Sequence, residues 1–299
     1  MPVALERLAP STGVITMADS QPSYRTLAPG QRCQVWVSDL EGSTRLVYET
    51  GVVLFEAPNW APDGHLVINA EGLLWELPAD GGEPRQIPAD GLPPVNNDHV
   101  LSPDGRTIYA SANDRQIYAV PRDGGQAAQV SLDDGRMHFL HGISPDGDVL
   151  SYVALEPEGD NWWAHANVRL LATDSSWDIP LTDSSRPDDG PEFSLDGQWI
   201  YFNTELFTLE PGHAQIARVT IDGSDLQRLT HDDQVDWFPH LSPNGTHAVY
   251  IRFPAGTTGH PADKPVELRI VELPEWDTPT ATISLFGGQG TINVTSWSP

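Results

Sequence analysis

The chain has 299 residues, 39% of them hydrophobic, and carries 16 Lys plus Arg against 42 Asp plus Glu, a formal net charge of −26. So acidic a surface repels phosphate backbones, and no basic stripe or aromatic–basic platform offsets it, which argues against a nucleic-acid partner. The single cysteine, Cys33, excludes an intramolecular disulfide framework and a cysteine-based zinc cluster.

The N-terminal "MPVALERLAPSTGV" shows no basic segment followed by a long apolar run, and no window approaches the roughly 18 apolar residues of a membrane span. A cytoplasmic chain with no membrane segment is expected, or a periplasmic one if a leader has been removed. From Cys33 the run "CQVWVSDLEGSTRLVYE" alternates in the manner of a hairpin, and Cys33 itself reads as a small core filler. Then comes the first "APDG" turn, followed by "HLVINA" and "GLLWELP". The same order returns downstream as "SPDG" with "TIYASA" and "RQIYAVP", then "VLSYVAL" and "NVRLLAT", "WIYFNT" and "QIARVTI", "THAVYI" and "VELRIVE".

The turn signature recurs with Ala61, Ser102, Ser144, Ser194, Ser242 and Ser298 as its first residue, at intervals of 41, 42, 50, 48 and 56 residues. Proline presets φ, aspartate bonds back to its own backbone, and glycine accepts positive φ, so each marker is a tight turn. The recurring marker serines are therefore turn residues, not nucleophiles. Short period-two runs at this spacing are the blades of a propeller. The expectation is an all-β chain, a single domain over 1–299, with six blades of four antiparallel strands. The last marker, "TINVTSWSP", arrives with nothing after it. One blade is therefore expected to be shared between the termini, with the N-terminal "PVALERL" as the partner that closes the ring.

The repeats "WAPDG" through "INAEGLLWELPADGGEPRQI" and "LSPDGRTIYASANDRQIYAVPRDGG" resemble the β-propeller repeats of TolB over roughly residues 33–299. TolB also has an α/β domain that this sequence lacks, so the likeness is to a stand-alone TolB-like propeller. It implies the fold and, for function, a module that binds a protein, peptide or small ligand. A weaker resemblance is to oligogalacturonate lyases, propellers that hold manganese near the central channel mainly through histidines, one group just before an SPDG-like turn. His240 of "WFPHLSPNG" matches that placement.

Inner strands of a propeller line its channel, so equivalent positions form rings. Three residues before each marker stand Pro58, His99, His141, Pro191, Pro239 and Thr295; two before stand Asn59, Val100, Gly142, Glu192, His240 and Ser296. Adjacent columns point to opposite sides of an ideal strand, so they converge only if the strand ends curl. If they do, His99, His141 and His240 could hold a divalent metal such as Mn, Zn or Ca. Glu192 would lie across the opening, and Asp98, beside His99, would be an acid or an orienting group. Asn59, Asn97, Asp236, Trp237 and His260 are candidate substrate contacts. A loop in "YIRFPAGTTGHPADKPVELR" carries His260 and Lys264, the sole lysine, as a further candidate catalytic group. Trp162 and Trp163 offer either a sugar-stacking face or blade packing. Two functions follow. One is a carbohydrate-active enzyme, lyase or hydrolase, acting on a polar small molecule or oligosaccharide; the other is a non-catalytic propeller that binds a protein or peptide.

Overall fold

The computed structural model describes residues 24–156, 163 and 165–299. Every regular element among them is a strand. A hairpin of β1 (Cys33–Ser38) and β2 (Thr44–Thr50) comes first. The first four-stranded blade holds β3 (Glu56–Trp60), β4 (His65–Ala70), β5 (Leu73–Pro78) and β6 (Arg85–Gln86). After the two-residue β7 (Ala89–Asp90), the second blade has β8 (Val95–Leu101), β9 (Thr107–Ala112), β10 (Ile117–Pro121) and, past β11 (Gly125–Gln126), β12 (Ala128–Gln129). The third runs β13 (Met137–Ile143), β14 (Val149–Leu155), β15 (Ala166–Ala172) and β16 (Asp178–Pro180). The fourth runs β17 (Asp188–Phe193), β18 (Trp199–Thr204), β19 (Gln215–Thr220) and β20 (Leu226–Arg228). The fifth runs β21 (Val235–Leu241), β22 (His247–Phe253), β23 (Lys264–Glu272) and β24 (Pro279–Gly287). The blades are antiparallel, and each inner strand (β3, β8, β13, β17, β21) lies against the next. This is a β-propeller.

The marker turns explain why the chain folds back where it does. Ser144 Oγ donates to Asp146 Oδ1 at 2.5 Å and accepts the Val149 amide at 2.9 Å, stapling the turn to the strand that leaves it. Ser102 and Ser194 repeat the arrangement with Asp104 and Asp196, and in "SPNG" the Asn244 side chain takes the aspartate's part. Ala61 lacks the hydroxyl, and there the backbone bonds to His65 and Gly64, with the His65 amide donating to Asp63 Oδ1 at 3.2 Å, close the turn. The glycine is needed twice over. Gly105 sits at φ +69°, and a Cβ added there would lie 2.7 Å from Pro62 of the preceding marker. The proline and glycine of successive turns thus pack one blade on the next.

The core is a chain of clusters at the seams between blades, not one central mass. Val67 and Leu74 of the first blade bury against Ile108 and Val120 of the second, and Val100 and Ile117 against Leu150 and Tyr152 of the third. Each large side chain so buried contributes about 1.5–3 kcal/mol. Cys33 is buried with Val35, Leu66 and Ile68, and burial pushes its thiol pKa up, as befits a core filler.

Five four-stranded blades are present among the described residues, where six markers predict six. Among the described residues the sixth unit supplies the two-stranded hairpin β1–β2, whose inner face packs on the first blade. The "TINVTSW" segment is not laid into a ladder as a strand. It reaches its neighbours through side chains and single backbone groups: Ile292 O lies 2.7 Å from His240 Nε2, and Ser296 Oγ donates to Pro58 O at 2.7 Å. The expected partner "PVALERL" lies outside the described residues, as does Trp162.

Candidate functional site

The inner strands all carry a register slip just before the marker: between Glu56 and Asn59, Val95 and His99, Leu140 and Gly142, Asp189 and Glu192, and Trp237 and His240. A bulge bends the strand and re-aims the side chains around it. In three blades the bend includes a left-handed residue, Ala57 at φ 51°, Gly190 at φ 61° and Phe238 at φ 53°. This local kink turns side chains that an ideal strand would separate toward the axis.

What they meet there is the chain's own C-terminal segment. His240 Nδ1 lies 2.6 Å from Glu192 Oε2, and its Nε2 lies 2.7 Å from the Ile292 carbonyl. Glu192 also accepts the Leu241 amide at 2.7 Å and the Thr295 hydroxyl at 2.6 Å. Trp297 Nε1 donates to the His240 carbonyl at 2.9 Å. On the opposite strand His141 Nδ1 donates to Asn293 O at 3.0 Å, while its Nε2 faces Asp189 Oδ1 at 3.1 Å.

A second, connected network lies toward the start of the inner strands. Asp189 Oδ2 is 3.5 Å from His260 Nε2, and His260 Nδ1 donates to Gln289 Oε1. Gln289 Nε2 donates to Asn97 Oδ1 at 3.1 Å, and its carbonyl accepts Arg25 Nη1 at 2.7 Å. Arg25 also holds Glu56 Oε1 at 2.6 Å. Asp98 takes one bond from Asn96 Nδ2 at 2.9 Å; its Oδ1 is buried without a hydrogen-bond donor, as is Nδ2 of Asn293 without an acceptor.

The charges in this network shift one another. Burial raises the Asp98 carboxyl, the Asp189 charge adds to that, and His141 and His260 pull the other way. Burial would lower His141, but the charges of Asp98 and Asp189 and the bond to Asp189 override it and hold the imidazole up at about 9. Asp189 is buried too, yet its bonds to His141 and His260 keep its carboxyl far below the usual range. Glu56 is pushed up to about 7 by burial, against Arg25 and with help from Asp98. His141 is therefore an imidazolium, stacked on Phe238 with ring centroids 5.5 Å apart.

The candidates separate accordingly. Asp98, Asn97, His141, Trp237 and His260 come together, with the Trp237 and His260 rings 4.4 Å apart. Glu192 and His240 pair around the C-terminal segment. His99 does not join them: it is fully buried at a blade seam, with Nε2 on the Val67 carbonyl at 3.3 Å. Asp236 is not a pocket wall but half of a buried bidentate pair, receiving Arg252 Nε at 2.7 Å and Nη2 at 3.0 Å. Asn59 is buried in β3 opposite Val67. Lys264 is exposed and opens β23 instead of standing in the loop.

A metal held by His99, His141 and His240 does not fit. Both nitrogens of His141 and of His240 face protein oxygens, and His99 points into a seam, so no three imidazole lone pairs converge. The residues overlooked, Glu56, Asp189 and Asn293, stand five positions before the marker, in the same column as the expected contact Asn97. Their signal was a polar column shared by four units, in positions that are otherwise bland.

Fold and site together define a β-propeller built of TolB-like blades. No protein-family model matches the chain. An uncharacterized protein of Agrobacterium fabrum is 36% identical over 262 residues, 85% of this chain and 84% of its own length. A solved structure from Agrobacterium tumefaciens, provisionally named TolB, is 36% identical with a TM-score of 0.76, over 86% of this chain and 90% of that one. The chain belongs to the family of these Agrobacterium TolB-like propellers. An oligogalacturonate lyase solved in complex with manganese shares the fold at 12% identity and a TM-score of 0.56, over 87% of this chain and 75% of that one. Among the described residues no helix is long and apolar enough to cross a membrane.

Proposed function

We propose that this chain is a non-catalytic TolB-like binding propeller, and that it engages a basic peptide or protein segment at the aromatic rim around His260 and Trp163. One observation carries this reading: the imidazoles that would make a metal enzyme are spent on the chain's own carbonyls and carboxylates, which fills the axis with the C-terminal segment. The surface left for a partner is the rim. There His260 is only half-buried, Trp163 stands exposed edge-on to it at 6.1 Å, and Trp237 backs it. Exposed aromatic faces suit a guanidinium or ammonium group. A net charge of −26 would draw such a partner in from a distance.

The lyase or hydrolase reading asks for a free acid–base pair. Glu192 already accepts three donors, and Lys264 lies on an exposed strand end. The test is binding of arginine-rich, neutral and acidic peptides to the purified chain by fluorescence anisotropy at two salt concentrations, alongside oligogalacturonate turnover with added manganese. Salt-sensitive binding of the basic peptide, weakened in Trp163→Ala, is expected. Manganese-dependent turnover with no preference for basic peptides would overturn the proposal.

A further inference from the structure

Away from the axis, at the seam of the second and third blades, Asp134, His138 and Asp178 bring one ligand atom each to within 4.8 Å of one another. Asp134 stands in the connection before β13, His138 in β13, and Asp178 in the outermost strand β16, so the cluster ties three parts of the seam together. His138 is 1% exposed. Its Nδ1 sits 2.7 Å from the Arg115 carbonyl and must carry the proton to donate there. The neutral ring then turns a bare lone pair at Nε2 toward the two carboxylates. That nitrogen is buried with no hydrogen-bond partner, 3.8 Å from Asp134 Oδ1.

A lone pair facing carboxylates is repulsive, and a cation between them removes the conflict. The bond from Nδ1–H to a backbone carbonyl is the arrangement that orients metal-bound histidines. One imidazole with two carboxylates is a donor set for divalent ions of the zinc type. We propose that Asp134, His138 and Asp178 form a site for one such ion, which ties the connection between the blades to the inner and outer strands of the third. Two guanidiniums now neutralise the acids: Arg136 on Asp134 at 2.5 Å and Arg169 on Asp178 at 2.8 Å. Arg136 also holds Glu156 at 2.5 Å, so it keeps a counter-charge when an ion takes Asp134. Asp178 Oδ2 also accepts the Tyr152 hydroxyl at 2.7 Å, and an ion would share the carboxylate with these donors through its remaining lone pairs.

The experiment is calorimetric titration of the full chain with Zn²⁺, repeated on Asp134→Asn and His138→Gln. The wild type binds one ion tightly, and each variant binds it at least about tenfold more weakly. Asp134 is in an exposed connection, so its variant reports on binding even if loss of the buried imidazole impairs folding. Wild-type protein that takes up no zinc at sub-millimolar concentration, or an Asp134→Asn variant that binds as tightly as wild type, would overturn the site.

Discussion

His240 and Glu192 stand 48 residues apart, on neighbouring inner strands, and meet at 2.6 Å across the seam between the fourth and fifth blades. The same imidazole holds the Ile292 carbonyl, so one side chain joins two blades and the C-terminal segment. An asparagine could replace one of these bonds but not both. His240→Asn is expected to cost about 1–3 kcal/mol, the scale for leaving a buried hydrogen-bonding group without its partner. Thermal melts should show a clear fall, with unchanged metal content in both proteins. A variant that melts normally but loses a bound ion would restore the ligand role.

Removing residues 291–299 takes away the bonds to His141, His240, Glu192 and Pro58 together. At about 1 kcal/mol for each bond, and more for those to charged groups, the melting temperature should drop by roughly 10 °C or more. A shift of a degree or two would mean that the segment contributes little to holding the blades together.

The His141 imidazole titrates at about 9 in the folded chain against an ordinary 6.5. Its contribution is therefore complete below pH 6.5 and is lost as pH rises through about 9. The stake is on the order of 3 kcal/mol. Melting temperature should decline across that alkaline window, and the decline should flatten in His141→Gln. Equal slopes in the two proteins would assign the effect to other groups.

Ser144→Ala removes the staple from Ser144 to Asp146 and Val149 without disturbing the axis. A cost of about 1 kcal/mol is expected, read from denaturant midpoints, with peptide binding unaffected. Loss of binding in a protein of near-normal stability would give the serine a role beyond the turn.

Much of the blade architecture was legible because each turn is written in side chains that act within five residues of one another. Ser102, Asp104 and Gly105 close their turn locally, and period-two runs follow. The candidate site was legible only in part. Glu192 and His240 stand between the bulge and the marker, where counting back works, and they were found. Asp189 and Glu56 lie on the far side of the register slip, where an extra residue spoils the alternation from which facing is inferred. Asp236 looked like a site acid because its partner Arg252 is 16 residues on, across a hairpin whose register no short motif states. The sixth inner strand failed for a different reason: its residues match the pattern, but their bonds run to side chains and isolated carbonyls.

The bonds that fill the axis span long stretches of chain: 52 residues from His240 to Ile292, 103 from Glu192 to Thr295, 152 from His141 to Asn293 and 238 from Pro58 to Ser296. Each blade, by contrast, is made of hairpins between neighbours in sequence. Closing long loops is entropically costly until the surfaces they join exist. Folding is thus ordered in time. The blades form early and locally as the chain emerges, while the polar groups at their inner edges wait in water. Only when residues 288–297 arrive do His141, Glu192 and His240 find their acceptors and donors, so drying the axis is expected to be the last step of folding.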